Sequence, residues 1–158
     1  MSLKETLKKL NQTEDETYQK AVEAKAELER IKTEFTNAVK PCFNEIVIPK
    51  LNEIIKIFNN SENNGKYKAK HGQVKAITYM SSSQSDSINI HIPKSNVYIQ
   101  IDIVAEIVLC KIKFYSIFSG FNRTIESKNN DLSLTVQETT SEAIEEFIEK
   151  QINLVSEK

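Results

Sequence analysis

The chain has 158 residues, 39% of them hydrophobic, a net charge of −1 and 21 basic side chains, of which only Arg30 and Arg123 are arginines. This holds enough apolar material for one folded domain and excludes a globally disordered chain. No window approaches the ~20 apolar residues of a membrane span, and the polar start Met1-Ser2-Leu3-Lys4-Glu5 lacks the apolar run of a signal peptide, so the chain is expected to be cytoplasmic and not bound to a membrane. Abundant Lys, Ile and Asn suit an AT-rich coding sequence, which points to a bacterial or phage origin.

The charge is uneven. Residues 1–60 carry ten basic and ten acidic groups, residues 61–137 nine and six, and residues 138–158 two and six. A basic middle and an acidic tail are expected either to attract each other in the fold or to form two separately solvated surfaces. Scarce arginine argues against reading phosphates or base edges through planar bidentate contacts.

In chain order, residues 1–40 form a heptad-like helix. Leu7, Glu14, Ala21, Leu28 and Phe35 occupy one seam position; Leu3, Leu10, Thr17, Ala24, Ile31 and Ala38 occupy the other. The expected helix interface is Leu3, Leu7, Leu10, Ala21, Ala24, Leu28, Ile31 and Phe35. Glu27 and Lys32 suit a parallel partner, whereas Lys20 and Lys25 repel in the same arrangement. The seam weakens at Glu14 and Thr17, and Thr13-Glu14-Asp15-Glu16 reads as a capping box, so either one bent helix or two collinear helices meeting near Asn11–Gln12 fits. Pro41 is expected to kink or end this helix near Val39. A second helix is expected over 42–58, kinked near 45–49 by Pro49. The polar run 59–65 ends it.

Period two then takes over, and residues 66–137 read as an antiparallel sheet of about five strands. Tyr67–Met80 is expected to be one bent strand or a pair around Gly72, and Ser81–Asp86 a flexible loop. Ile88, Ile90 and Ile92 alternate with Asn89 and His91. After a turn at Pro93–Asn96, Val97, Ile99, Ile101 and Ile103 alternate with Tyr98, Gln100 and Asp102, which makes a hairpin. Ile107-Val108-Leu109-Cys110 is apolar on both faces and reads as the start of a central strand covered on both sides, which runs on through Ile112, Phe114 and Ser116 to about Phe118 and favours an N-terminal helix on the face opposite the C-terminal one. Phe121–Ser127 and Leu132–Gln137 read as a further pair. Residues 139–156 form the last helix, capped at Thr139–Glu142, with Ala143, Ile144, Phe147, Ile148, Ile152 and Val155 inward. The fold class is therefore α+β, with a long kinked N-terminal helical region, an antiparallel sheet and a short C-terminal helix in a single domain over 1–158.

Catalytic and cofactor motifs are absent. His71 and His91 have no Ser, Cys or Asp partner at a recognised spacing, and His91 should lie on the solvated face of its strand. Cys42 and Cys110 read as small buried hydrophobes rather than as a disulfide or a nucleophile. They share no zinc-ligand spacing with the histidines. Gly65, Gly72 and Gly120 stand alone, so no phosphate-cradling loop is expected. No cofactor and no metal is expected.

Lys66, Lys68, Lys70 and Lys75 form a basic patch. On a strand Lys66, Lys68 and Lys70 share a face, with Tyr67 on the other. The patch reads as an edge strand protected by lysines rather than as a track for nucleic acid. The leading functional expectation is a non-enzymatic interaction or self-associating module, a homodimer or a protein partner joining through the N-terminal helix. The alternatives are a small-molecule or lipid-binding domain with Tyr98, Tyr115 and Phe118 around a pocket between sheet and helix, and nucleic-acid binding through residues 66–75.

Overall fold

The computed structural model describes residues 2–60, 67–74, 82–93, 96–120 and 131–156, with the backbone alone at 82, 83 and 156. Its elements are helix α1 (Leu3–Cys42), a π turn (Phe43–Val47), helix α2 (Ile48–Phe58), strands β1 (Lys68–His71), β2 (Ser82–Ile92), β3 (Val97–Glu106), β4 (Lys111–Gly120) and β5 (Leu132–Leu134), and helix α3 (Ser141–Ser156). The fold is α+β. By its internal contacts the chain divides into two compact units, residues 1–34 and 35–158.

The first unit is one helix from Leu3 on, with no break at Asn11–Gln12. Thr13 does not cap a new helix. Its hydroxyl donates back to the Lys9 carbonyl at 2.9 Å, and Thr17 and Thr33 bond Thr13 and Glu29 in the same way. A hydroxyl satisfied four residues back leaves the helix ladder intact, so the capping-box pattern is unused. Arg30 clasps Glu27 and Glu34 one turn either side.

In the second unit Pro41 does not end the helix near Val39, whereas the interruption expected near 45–49 is present. Pro41 lies inside α1, which runs on to Cys42. The chain then widens into the π turn, where the Ile48 amide reaches back to the Phe43 carbonyl, and Pro49 falls in the first turn of α2. A π turn is one way for a helix to absorb an interruption in its hydrogen-bond ladder. It also turns Phe43, Val47, Leu51 and Ile54 inward, and all four are buried.

The sheet is a meander in chain order, β1-β2-β3-β4-β5, with every neighbouring pair antiparallel. One face carries Ile88 and Ile90, then Ile99, Ile101 and Ile103, then Ile112 and Phe114, all fully buried. These pack with Val39, Phe43 and Leu51 and with Ile144, Phe147 and Ile148 of α3 in one core. Phe114 meets Phe147 edge-to-face at 5.3 Å, and Lys50 of α2 reaches Glu145 of α3 at 3.5 Å. Both helices therefore cover the same face, correcting the expectation of one on each side.

Three further corrections concern the sheet. Residues 82–86 are strand, not loop: Ser85 and Asp86 pair with Val104 and Ile103, beyond an irregularity that follows Ser82. The ladder of β3 supplies the hydrogen bonds that polar side chains do not preclude. Ile107–Cys110 is a turn, not a central strand. Glu106 pairs with Lys111, the Cys110 amide donates to the Ile107 carbonyl at 3.2 Å, and Val108 and Leu109 are 47% and 54% exposed. The strand buried on both faces is β3 itself. Finally, β1 stops at His71, and β5 stops at Leu134 before a turn at 136–138. Positions 75–80 and 121–130, where strands were also expected, lie outside the described residues.

Candidate functional site

Two surfaces carry the residues singled out by the sequence. On the first unit, Leu3, Leu7, Leu10, Ala21, Ala24, Leu28 and Ile31 are all exposed, as is every described residue from 2 to 31. Leu3 is 74% exposed and Leu7 and Leu10 are 51% each. Tyr18 and Val22, outside the seam, are exposed as well. Phe35 differs. It belongs to the second unit and is buried in its core, so it is not free to meet a partner.

The second surface is the sheet face away from the core. Side chains alternate along a strand, so residues paired across neighbouring strands share a face. The register places Lys68, His91, Tyr98 and Ser119 in one row across four strands, and Lys70, Asn89, Gln100 and Ile117 in the next. Together these rows line a groove of ≈ 570 Å³, with Asn59 at its β1 rim. A volume of that order suits a small-molecule ligand.

The chemistry of the groove is mixed. His91 and Tyr98 stack, with ring centroids 4.2 Å apart and planes 12° from parallel. His91 is half-buried, not fully solvated as its alternation implied, and its Nε2 is buried with no hydrogen-bond partner among the described residues. Tyr98 remains 46% exposed. Lys68 and Lys70 are exposed, and neither ammonium has an ion-pair partner among the described residues. Lys66 and Lys75 lie outside the described residues.

Beside the groove, in the next row of the same face, lies a buried polar network. The Ser87 hydroxyl donates to Asp102 at 2.6 Å, and the Gln100 amide donates to Asp102 at 2.9 Å and to the Gln73 carbonyl at 2.7 Å. Gly72 enters this network closely: a β-carbon there would sit 2.9 Å from Asn89 Nδ2, so a side chain would force Asn89 aside. The network fixes Gln100, and with it one wall of the groove.

The expected pocket between sheet and helix is not formed by its three aromatic residues. Tyr98 faces the groove. Tyr115 lies on the same face but hydrogen-bonds Glu106, and burial together with that carboxylate pushes its phenol well above its ordinary pKa. Phe118 packs against the core on the other face.

His71 sits at the β1 end beside α2, with Nε2 2.6 Å from Asn52 Oδ1 and Nδ1 3.5 Å from Asp86. These contacts tie α2 to the first two strands. Cys42 and Cys110 are both free thiols, and burial raises the pKa of Cys42. Among the described residues no group of three His, Cys, Asp or Glu side chains could hold a metal ion, and no helix is long and apolar enough to cross a membrane.

Compared with protein-family models, with curated proteins and with solved structures, the chain matches none.

The groove was missed in the sequence because its parts come from four strands. One signal was present. A hairpin closed at Pro93–Asn96 that pairs Ile92 with Val97 must also pair His91 with Tyr98.

Proposed function

We propose that the chain is a non-enzymatic, self-associating module, in which the helix over residues 3–34 pairs with the same helix of a second copy. The exposed heptad seam carries this reading. A helix draws most of its stability from packing an apolar face. Here Leu3, Leu7, Leu10, Leu28 and Ile31 stay exposed in the single chain.

Charge favours a like partner over an unlike one. Residues 1–34 carry seven basic and eight acidic groups, so the helix surface is nearly neutral overall and mixed in sign. A strongly basic or acidic partner would find no complement, and a lipid surface would call for a basic flank. In a parallel pair Glu27 meets Lys32 of the second copy, while Lys20 faces Lys25 and the two Glu14 side chains meet at the seam. The association is therefore reversible and moderate rather than obligate. Two free thiols fit a reducing compartment, and we place the assembly in the cytoplasm.

Sedimentation velocity on the intact chain over a range of concentrations tests this. A concentration-dependent dimer is expected, and Leu10→Ser with Leu28→Ser should return it to monomer without altering the melting of the second unit. Glu14→Leu should tighten it by removing the charge from the seam. A monomer at every concentration, for both the parent chain and Glu14→Leu, ends the proposal.

A further inference from the structure

We propose that the groove on the exposed sheet face binds a phosphate ester carrying a planar base, with the phosphate between Lys68 and Lys70 and the base on the Tyr98 ring. Such a group is offered by a free nucleotide or by one residue of a single-stranded nucleic acid, and the chemistry is the same for both. The inference rests on the sheet register and is independent of how the N-terminal helix behaves.

The lysine strand alone could not do this, since Tyr67 alternates with the lysines. The register resolves the difficulty. Tyr98 lies in the same row as Lys68, on the same face, two strands away. Two strand spacings are about 10 Å. His91 stands between them and covers the Tyr98 face turned toward β2, so the phenol ring is held in one orientation before any ligand arrives. A base takes its other face, toward β4 and nearly three strand spacings (about 13 Å) from Lys68, a span that a lysine side chain reaching inward and a sugar-phosphate together cover. A ring fixed in this way loses little freedom when a base stacks on it.

The charge is suited to a phosphate. Both ammonium groups are exposed and without ion-pair partners among the described residues, whereas the carboxylate closest in the register, Asp102, is buried and engaged by Ser87 and Gln100. Lysine acts on phosphate as a point charge and needs no planar fork. With no arginine in the groove, binding should be nearly indifferent to the base and strongly dependent on salt.

The groove volume of ≈ 570 Å³ is enough for one nucleotide. A strand of several nucleotides would therefore place one residue in it and continue outside.

The test is calorimetric titration of the intact chain at low salt with thymidine monophosphate, with a hexamer of deoxythymidine, with thymidine and with inorganic phosphate, accompanied by amide NMR spectra. Either nucleotide probe should bind more tightly than thymidine or phosphate, with shifts at residues 68–71, 89–91 and 98–100. The hexamer binding while the monophosphate does not identifies single-stranded nucleic acid as the source; equal binding identifies the free nucleotide. Both results support the site. Tyr98→Ala should weaken binding about tenfold. Lys68→Gln with Lys70→Gln should lower the dependence of log K on log salt by about 1.4 for the hexamer. Lys150→Gln on α3 serves as a control and should change neither. No binding by either probe overturns the proposal. So does binding that survives both the Tyr98 and the double lysine changes, or phosphate binding as tightly as the nucleotide.

Discussion

The side chain of Asn59 pairs with the backbone of Ala69 as another strand would: its amide donates to the Ala69 carbonyl at 2.9 Å, and its oxygen accepts from the Ala69 amide at 3.2 Å. Ala69 is in the middle of β1, the first strand of the sheet, and these are the groups its outer edge would offer to another chain. Asn59 also ends α2, with its own amide bonded to the Ile55 carbonyl. One residue thus stops a helix and closes a sheet edge.

Asn59→Ala is expected to lower stability by about 1–2 kcal/mol, because two hydrogen bonds go and water satisfies the freed groups only in part. It should also raise light scattering on heating, since the edge is then open. Asn59→Asp keeps the acceptor and loses the donor, so it should fall between. An unchanged melting temperature and unchanged scattering for Asn59→Ala would show that the edge does not need closing.

Between β4 and α3, the Ser116 hydroxyl donates to Gln151 Oε1 at 2.8 Å, while Gln151 Nε2 is buried without a partner among the described residues. Removing one partner from such a pair leaves a buried polar group unmet; removing both need not. Ser116→Ala alone should cost about 1 kcal/mol in urea unfolding. Ser116→Ala with Gln151→Leu should match or exceed the parent. A double variant weaker than the sum of the singles contradicts this account.

Cys110 ends the β3–β4 turn in the left-handed region, at φ 51°. A residue with a β-carbon is disfavoured there by about 1 kcal/mol, and glycine is not. Cys110→Gly should therefore raise stability by about 0.5 kcal/mol after the greater freedom of the unfolded chain is counted. Thermal unfolding measures it. A loss of more than that would mean that the Sγ contact with the Ile107 carbonyl matters more than the backbone.

Ahead of α3, the Thr135 amide donates to Glu138 Oε1 at 2.9 Å and the Glu138 amide donates to the Thr135 hydroxyl at 3.1 Å. Thr135, chiefly through its amide and helped by the Lys111 charge, holds the Glu138 carboxyl below its ordinary pKa of 4.5. A depressed carboxyl pKa adds stability above 4.5 and loses it as pH falls through the folded value. The Thr135 amide resonance should hence shift on acidification to below pH 4.5, and in Glu138→Gln it should not. A Thr135 shift unchanged by that substitution assigns the acid response to another group.

How far the fold could be read from the sequence depended on where a residue's environment is set. Ile88–Ile92 and Val97–Ile103 were legible as strands because strict alternation shows which side chains share the core face, but not that Gln100 and Asp102 on the other face of β3 would also be buried. The start of α3 was legible within Thr139–Glu142 because a capping acceptor lies three residues from its donor, although it is Thr140 that accepts from Ala143 while Thr139 bonds the Thr135 carbonyl. Ile107–Cys110 misled. Four apolar residues look like a buried strand, yet the pairing of Glu106 with Lys111 makes them a turn. Pro41 misled because its cost in a free helix is offset by the burial of Val39, Cys42 and Phe43 around it. The groove needed the order of four strands, which no single segment encodes.

The meander order has a consequence for how the protein is made. Each strand pairs with the one just before it, so β1 to β5 can assemble as the chain lengthens, without waiting for a distant partner. Short separations of this kind favour fast folding. The row of isoleucines along β3 nevertheless stays partly uncovered until Ile144, Phe147 and Ile148 arrive on α3. During that interval the growing chain offers an apolar sheet face to its surroundings, and the closing of that face by α3 is the step at which folding and aggregation compete.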